Sequence, residues 1–394
     1  MADHPLLRLN PRQDRRLRAG HPWAYSNEIA MQPEHRRWTP GAPVRIESAE
    51  GWRYGTFMFN PHSLIAARLL DRDPAAEIDA AWIAARLGAA AALRAKVAPP
   101  AHHRLVHAEA DGLPGLVVDR FGDVAVVQAN TAGMDRLLPE ITRALLDLLP
   151  LRALVARNDT VARRHEGLPD EIRLLHGSDA ACEAEEGGVA FPVDPLSGQK
   201  TGFFHDQRPN RDRVAALSAG ARVLDVFCHT GAFGLRAAAA GAAHATFVDA
   251  SQPALDGVRR AAERNGLAGH ISLRRGDAFD ALAELGQAGE RFDVVVCDPP
   301  AFAKTRKDQE AGLRAYHRMT KLAAPLVAPG GFLFVASCSH HAPPEMFAEA
   351  VASGLHRARR DGRLLATTGA GPDHPVHPHL PESAYLKAQL FQLD

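Results

Sequence analysis

The stretch ARVLDVFCHTGAFGLRAAAAG, residues 221–241, decides the fold. It opens on a short apolar run, passes through a turn holding Gly231 and Gly234, and continues as an Ala-rich helical pattern. A buried strand, a glycine turn and a helix in that order are the opening unit of a parallel α/β sheet. The glycines allow close approach of the backbone to a ligand, and the helix start favours a polar or anionic group. A dinucleotide fingerprint would need a third glycine, whereas Cys228, His229 and Thr230 fill the early turn. Asp225 at the strand end would repel a pyrophosphate. It suits a cation instead, such as an ammonium or a sulfonium.

The pattern repeats downstream. ATFVDAS (245–251) sets Asp249 at the next strand end, where a carboxylate can chelate two ribose hydroxyls. RRGDAF (274–279) puts Asp277 after a third strand, suited to the exocyclic amine of adenine, and FDVVVCDPPAF (292–302) ends a fourth with Asp298. Four acids at four successive strand ends share one edge of an open parallel sheet, the edge where such folds bind ligands. For any single one of them, capping the following helix is the alternative.

Upstream the patterning changes. Residues 1–72 read as short strands and turns, with VRIES (44–48), GWRYGTFMFN (51–60) and LIAARLL (64–70) separated by Pro, Gly and Asn. Residues 73–196 mix the two periods. A helical pattern runs from about Pro74 to Val97, GLVVDRFG (115–122) and DVAVVQAN (123–130) form a hairpin, a helix covers about 133–148, and RALVARND (152–159) is a strand. VAFPVDP (189–195) closes this part, and the strand–loop–helix repeat occupies 197–394.

The chain of 394 residues is long enough for two or three domains, and 46% apolar with 23% charged residues is ordinary globular composition. Lys+Arg and Asp+Glu both count 46, which argues against a chain built chiefly to wrap nucleic acid. Residues 1–72 nevertheless carry eleven Arg against seven acids. Arg15, Arg16 and Arg18 stand ahead of His21, Trp23 and Tyr25, a basic run backed by aromatics that fits phosphate tracking with stacking, or equally a solvated face over buried rings. Four cysteines form neither a disulfide framework nor a metal-ligand spacing, so a reducing compartment is expected and no metal is. Residues 1–23 lack the apolar segment of a secretory signal, and no apolar run reaches the about 18 residues of a membrane span, so a cytoplasmic protein with no membrane partner is expected.

Taken together, D-x-F-x-x-x-G-x-F-G, V-D-A-S, G-D-A and D-P-P-A-F resemble the motifs of class I S-adenosylmethionine-dependent methyltransferases. SGQKTGFFHDQRPNR (197–211), DPPAFAKTRKDQEAGLRAY (298–316), ASCSHH (336–341) and GAGPDHPVHPHLPESAYLK (369–387) are similar to bacterial ribosomal RNA large-subunit methyltransferases of the cytosine-5 type. LRLNPRQDRRLRAGHPWAYSNEI is similar to the RNA-binding PUA domain that opens that family. The resemblance implies an α/β protein: a β-rich PUA domain over 1–72, a small α+β domain over 73–196, and a Rossmann-like methyltransferase domain over 197–394. It implies S-adenosylmethionine as cofactor and 23S ribosomal RNA as partner, and leaves a homodimer open. Cofactor contacts would fall to Phe204, Asp206 and Gln207, to Asp225, Phe227, Gly231 and Phe233, to Asp249 and Ser251, to Asp277 and Ala278, and to Asp298. The sequence departs from the family at His205, a position commonly Leu.

Carbon 5 of cytosine is a poor nucleophile, and the usual remedy is a thiolate that adds to carbon 6 and makes carbon 5 enamine-like. GGFLFVASCSHH (330–341) ends a fifth strand with Cys338, beside a fourth that ends with Asp298. Neighbouring strands lie about 4.8 Å apart, so both can face one base. Cys338 is the expected nucleophile, as the family's motif also implies, and Asp298 would hold the cytosine edge. Cys297 should pack against a helix, Cys228 should fill space in the turn, and Cys182 beside an acidic run should be a poor thiolate. Ala301 stands where many RNA cytosine-5 methyltransferases carry a second cysteine, so adduct release falls to Asp298, His340, His341 or water. Lys304, Arg306 and Lys307 border the site and suit phosphates flanking an extruded base, or are simply a solvated loop. Two alternatives remain. D-P-P-A-F also resembles the signature of amino-group and guanine methyltransferases, and a non-catalytic ribosome-assembly factor would keep the fold without the chemistry.

Overall fold

A computed structural model describes residues 3–198 and 201–394, so Gln199 and Lys200 of the S-G-Q-K motif lie outside the described residues. The chain divides into two compact units. The first comprises Met1–Cys182, Val193–His205 and Pro372–Ser383. The second comprises Glu183–Pro192, Asp206–Gly371 and Ala384–Asp394.

The first unit opens with strands β1 (Leu6–Arg8), β2 (Trp23–Ala24), β3 (Ala42–Glu47), β4 (Arg53–Phe59) and β5 (Ala67–Asp71), and the short helix α1 (Arg15–Arg18). These strands form one sheet in the order β1-β3-β4-β5-β2. Alternation along β3 turns Val44 and Ile46 into a core with Leu7, Leu17, Phe57 and Phe59. Helix α2 (Ala80–Val97) starts where the Asp79 side chain accepts from the Trp82 amide. A second sheet, β6 (His102–His107), β7 (Leu116–Phe121), β8 (Val124–Ala129), β9 (Ala153–Asn158) and β10 (Glu171–His176), runs in the order β10-β9-β8-β7-β6. The hairpin expected at 115–130 is β7–β8, turned at Gly122 with φ of 64°.

The single helix expected at about 133–148 is two, α3 (Ala132–Arg136) and α4 (Leu138–Leu148). Pro139 has no amide to bond back across the junction, so the chain breaks at Leu137 and restarts with proline in the first turn. Helix α5 (Val161–His165) follows β9. The two sheets share one unit because buried polar groups tie them. Asn60 Nδ2 donates to the Glu166 carbonyl and carboxylate, both at 2.9 Å, and Arg68 pairs with Glu109 at 2.8 Å.

The hairpin β11 (Cys182–Glu186) and β12 (Val189–Val193) leads into the second unit, where Glu183–Pro192 resides rather than with the middle part. Its helices are α6 (Arg208–Ala216), α7 (Ala232–Ala239), α8 (Gln252–Arg264), α9 (Ala278–Gln287), α10 (Gln309–Ala323) and α11 (Pro344–Arg357). Its strands are β13 (Arg222–Val226), β14 (His244–Asp249), β15 (Ile271–Arg275), β16 (Phe292–Cys297), β17 (Val327–Ser337), β18 (Gly362–Thr368) and β19 (Lys387–Leu393). They make one sheet in the order β15-β14-β13-β16-β17-β19-β18, parallel except for β19, which runs antiparallel to both its neighbours. The central strands are near-continuous Val and Leu because both sheet faces are covered. Strand order reverses between β13 and β16, and the crevice beyond their carboxyl ends is where open α/β sheets take ligands. Among the described residues no helix is long and apolar enough to cross a membrane.

Candidate functional site

The turn after β13 is built under strain. Phe227 and His229 hold φ of 62° and 49°, a region that side chains other than glycine rarely enter. The turn is pinned from both sides: Asp249 Oδ2 accepts from the His229 amide at 2.9 Å, and Asp225 Oδ2 accepts from the Gly234 amide at 2.9 Å. Gly231 lies at φ of 73° and begins α7. The glycines also serve packing. A Cβ at Gly234 would stand 2.4 Å from the Phe247 ring, and one at Gly231 2.9 Å from Val258.

Asp225 is buried, and burial pushes its carboxyl pKa up to about 7, helped by the nearby Asp298 and Asp249 and opposed by the Gly234 amide and Arg211. A positive charge beside a buried carboxyl surrounded by acids favours its ionised form. Asp249 is half-buried at the end of β14, its other oxygen accepting from the Ser251 amide at 2.8 Å. Ser251 caps α8 and Asp277 caps α9, where its Oδ1 accepts from the amides of Phe279 and Asp280 at 2.8 and 3.2 Å. For these two residues the helix-capping reading describes what the side chains do. Ala278 is buried in the first turn of α9.

Asp298 follows β16 directly and is half-buried, its amide donating to the Val226 carbonyl at 3.4 Å. Phe227, Phe279 and Phe302 form a triangle of rings, with centroids 5.9 to 6.3 Å apart, linking the ends of β13, β15 and β16. Phe279 and Phe302 were not singled out from sequence, though both directly follow acidic motifs that were.

Asp206 and Gln207 lie in the 3-10 turn just ahead of α6 and are buried. Asp206 Oδ2 accepts from the Tyr385 hydroxyl at 2.5 Å, and Gln207 Oε1 accepts from Asn210 at 2.7 Å. Asp206 Oδ1 and Gln207 Nε2 find no hydrogen-bond partner among the described residues. An orphaned buried acceptor beside an orphaned buried donor matches the ammonium and carboxylate of an amino acid, and Asp225 supplies the charge a sulfonium needs. These residues fit S-adenosylmethionine. Phe204 is half-buried and falls in the first unit.

Beneath α6 and α7 lies Glu186, which sequence reasoning missed inside an acidic run. Burial works against its charge, but Arg211 at 2.7 and 2.6 Å, Arg236 at 2.7 Å and Arg208 at 3.8 Å hold it below the usual carboxylate range. Arg211 also lies 5.9 Å over the Phe233 ring, which places Phe233 in the wall behind the turn.

Cys338 comes next after β17 and is half-buried between Ser337 and Ser339, both fully buried. Ser337 Oγ and Ser339 Oγ each meet the Tyr316 hydroxyl at 2.8 Å, and Ser339 Oγ accepts from the Ala303 amide at 3.1 Å. Two buried serines flank one half-buried cysteine, so the thiol is the least enclosed of the three side chains. The register pairs Cys297 with Val335, so Asp298 comes level with Ala336 and Cys338 lies two residues further along the neighbouring strand's line. The other thiols are unsuited to this chemistry. Cys297 is core, as expected, and burial raises both its pKa and that of Cys228. Cys182 is pushed up to about 12 by burial first, with the carboxylates of Asp123, Asp194 and Asp179 adding to it.

The basic residues fall in different units. Arg15, Arg16 and Arg18 are exposed on or beside α1, with Arg18 paired to Asp14 at 2.7 Å and Arg16 4.7 Å over Tyr25. Trp23 is not a free platform: its indole donates to Glu109 at 2.8 Å and Arg68 stacks 5.0 Å over it. Lys304, Arg306 and Lys307 are exposed after Asp298, in a loop closed by the Thr305–Asp308 capping box.

An open sheet of this strand order, with acids on its carboxyl edge, defines a class I methyltransferase fold. Residues 7–72 match a PUA-like domain, and residues 113–392 match the S-adenosylmethionine-dependent methyltransferase family, to which the chain belongs. A protein of Shewanella frigidimarina called ribosomal RNA large subunit methyltransferase I is 35% identical over 97% of each chain. A SAM-dependent methyltransferase of Streptococcus mutans, 19% identical, superposes with a TM-score of 0.82 over 98% of this chain and 100% of that one. A methyltransferase solved with SAH superposes at 0.84, also 19% identical, with the same coverage of both chains. The chain is an S-adenosylmethionine-dependent methyltransferase.

Proposed function

We propose that the chain methylates carbon 5 of a cytosine in 23S ribosomal RNA through a covalent adduct on Cys338. The name carried by the relative of equal length supports ribosomal RNA as substrate. The observation that carries the chemistry is the half-buried Cys338 between two buried serines, just past the strand next to the one that Asp298 follows.

In this reading Phe204, Asp206, Gln207, Asp225, Phe227, Gly231, Phe233, Asp249, Ser251, Asp277, Ala278 and Asp298 line the cofactor site. Bound S-adenosylmethionine supplies an electrophilic methyl group on a sulfonium. Asp298 hydrogen-bonds the cytosine edge and carries the proton that neutralises ring nitrogen 3. The Cys338 thiolate forms its bond to carbon 6, and the electron pair of the 5,6 double bond shifts to make carbon 5 nucleophilic. After methylation a base takes the carbon 5 proton, the double bond re-forms and the sulfur–carbon bond breaks, returning the thiolate. Arg15, Arg16, Arg18 and Trp23 in the PUA-like part, and Lys304, Arg306 and Lys307 beside the site, contact RNA. The work is carried out in the cytoplasm.

Cys338→Ala tests the covalent step. Methylation of ribosomal RNA by the purified variant should fall below detection while S-adenosylmethionine binding persists. Turnover by Cys338→Ala would favour transfer to an exocyclic amine, which needs no thiolate.

A further inference from the structure

Lys387 opens β19 opposite Ser337, the residue before Cys338. It is one of only six lysines, and its side chain is 7% exposed. Its Nζ donates to the Ser339 carbonyl at 2.6 Å and to the Tyr385 carbonyl at 3.1 Å. Lys387 thus grips the backbone on the far side of Cys338 while its own strand pairs with the near side. No carboxylate lies within ion-pairing distance of it among the described residues. A buried ammonium held only by neutral carbonyls is costly unless an anion appears beside it. Cys338 is the titratable group whose charge it senses: burial lowers the Lys387 pKa, and the field of the Cys338 thiolate pulls the other way.

From this geometry we propose that Lys387 is a positioning residue that stabilises the Cys338 thiolate and fixes the turn presenting it. The proposal rests on the reading of Cys338 as nucleophile. Tyr316 on α10 also senses Cys338, but burial raises its pKa, so its hydroxyl is neutral and occupied with Ser337 and Ser339. Asp298 after β16 is a carboxyl group and supplies no positive charge. His340 is exposed beside Tyr385, with ring centroids 5.8 Å apart, and His341 is half-buried one residue on. Among the described residues, charge and grip arrive together through Lys387.

The test is the pH dependence of Cys338 alkylation by iodoacetamide, read at that residue by peptide mass spectrometry in the full chain without RNA. Lys387→Met should move the midpoint of the profile up by about one pH unit or more, with labelling at pH 7 reduced about tenfold. Lys387→Arg should restore most of it. Lys387→Gln, which can still donate to the carbonyls, should resemble Lys387→Met. An unchanged midpoint in a Lys387→Gln protein that retains the wild-type melting temperature would overturn the proposal. Because the readout is thiol protonation, it is independent of turnover: Cys338→Ala can sink the covalent reading while the alkylation shift still stands, and the reverse.

Discussion

Asp225 carries a pH signature set by its burial. Its ordinary value is 3.8 and burial raises it to about 7. Between those values the unfolded chain is ionised while the folded one keeps its proton, so this group lowers stability as pH rises, by up to about 4 kcal/mol. Asp225→Asn should therefore raise the melting temperature of the ligand-free protein at pH 8 and change it little at pH 4. A cationic ligand requires the ionised form. S-adenosylmethionine affinity, followed by calorimetry, should weaken about tenfold per unit as pH falls from 7 to 5, and Asp225→Asn should flatten that slope as well as weaken binding. Tyr316 is the second telling residue. Tyr316→Phe leaves two buried serine hydroxyls without their shared partner, at a cost of about 1–3 kcal/mol in chemical denaturation, and loosens the turn that carries Cys338.

At the scale of elements, the strand–turn–helix from β13 to α7 was legible because its period and glycines are local features. The reason for the glycines was not legible, since Phe247 and Val258 reach them from a different strand and helix. Gly234→Ala should destabilise the protein by about 1–3 kcal/mol by thermal melting, because the methyl has no free volume to enter. The break between α3 and α4 was readable in principle from Pro139, yet helical apolar spacing continues across it and hides the interruption. Only Lys387 of strand β19 was quoted, at the end of a motif. Its insertion between β17 and β18 depends on pairing across long sequence distances, so Lys387 and Tyr385 stayed out of view while Cys338 and Asp298 did not. Glu186 was hidden in the same way, because its three arginines come from α6 and α7.

For the molecule as a whole, formal neutrality conceals sorted charge. Exposed arginines gather on α1 and a basic loop follows Asp298, while carboxylates are held at the strand ends of the second unit. RNA binding should be modest and salt-sensitive. Arg15→Ala and Arg16→Ala should each weaken it at all sequences and lower the salt slope by about one, measured by fluorescence anisotropy across a salt series. The neutral composition does not forbid this, because binding is decided by local patches. The central claim is that Cys338 attacks a cytosine. It is tested most directly by incubating the protein and S-adenosylmethionine with ribosomal RNA in which cytosine carries fluorine at carbon 5. The missing carbon 5 proton should trap a denaturation-resistant complex, with the RNA bonded to Cys338 in peptide mass spectra. Recovery of free protein together with methylated RNA would contradict the account.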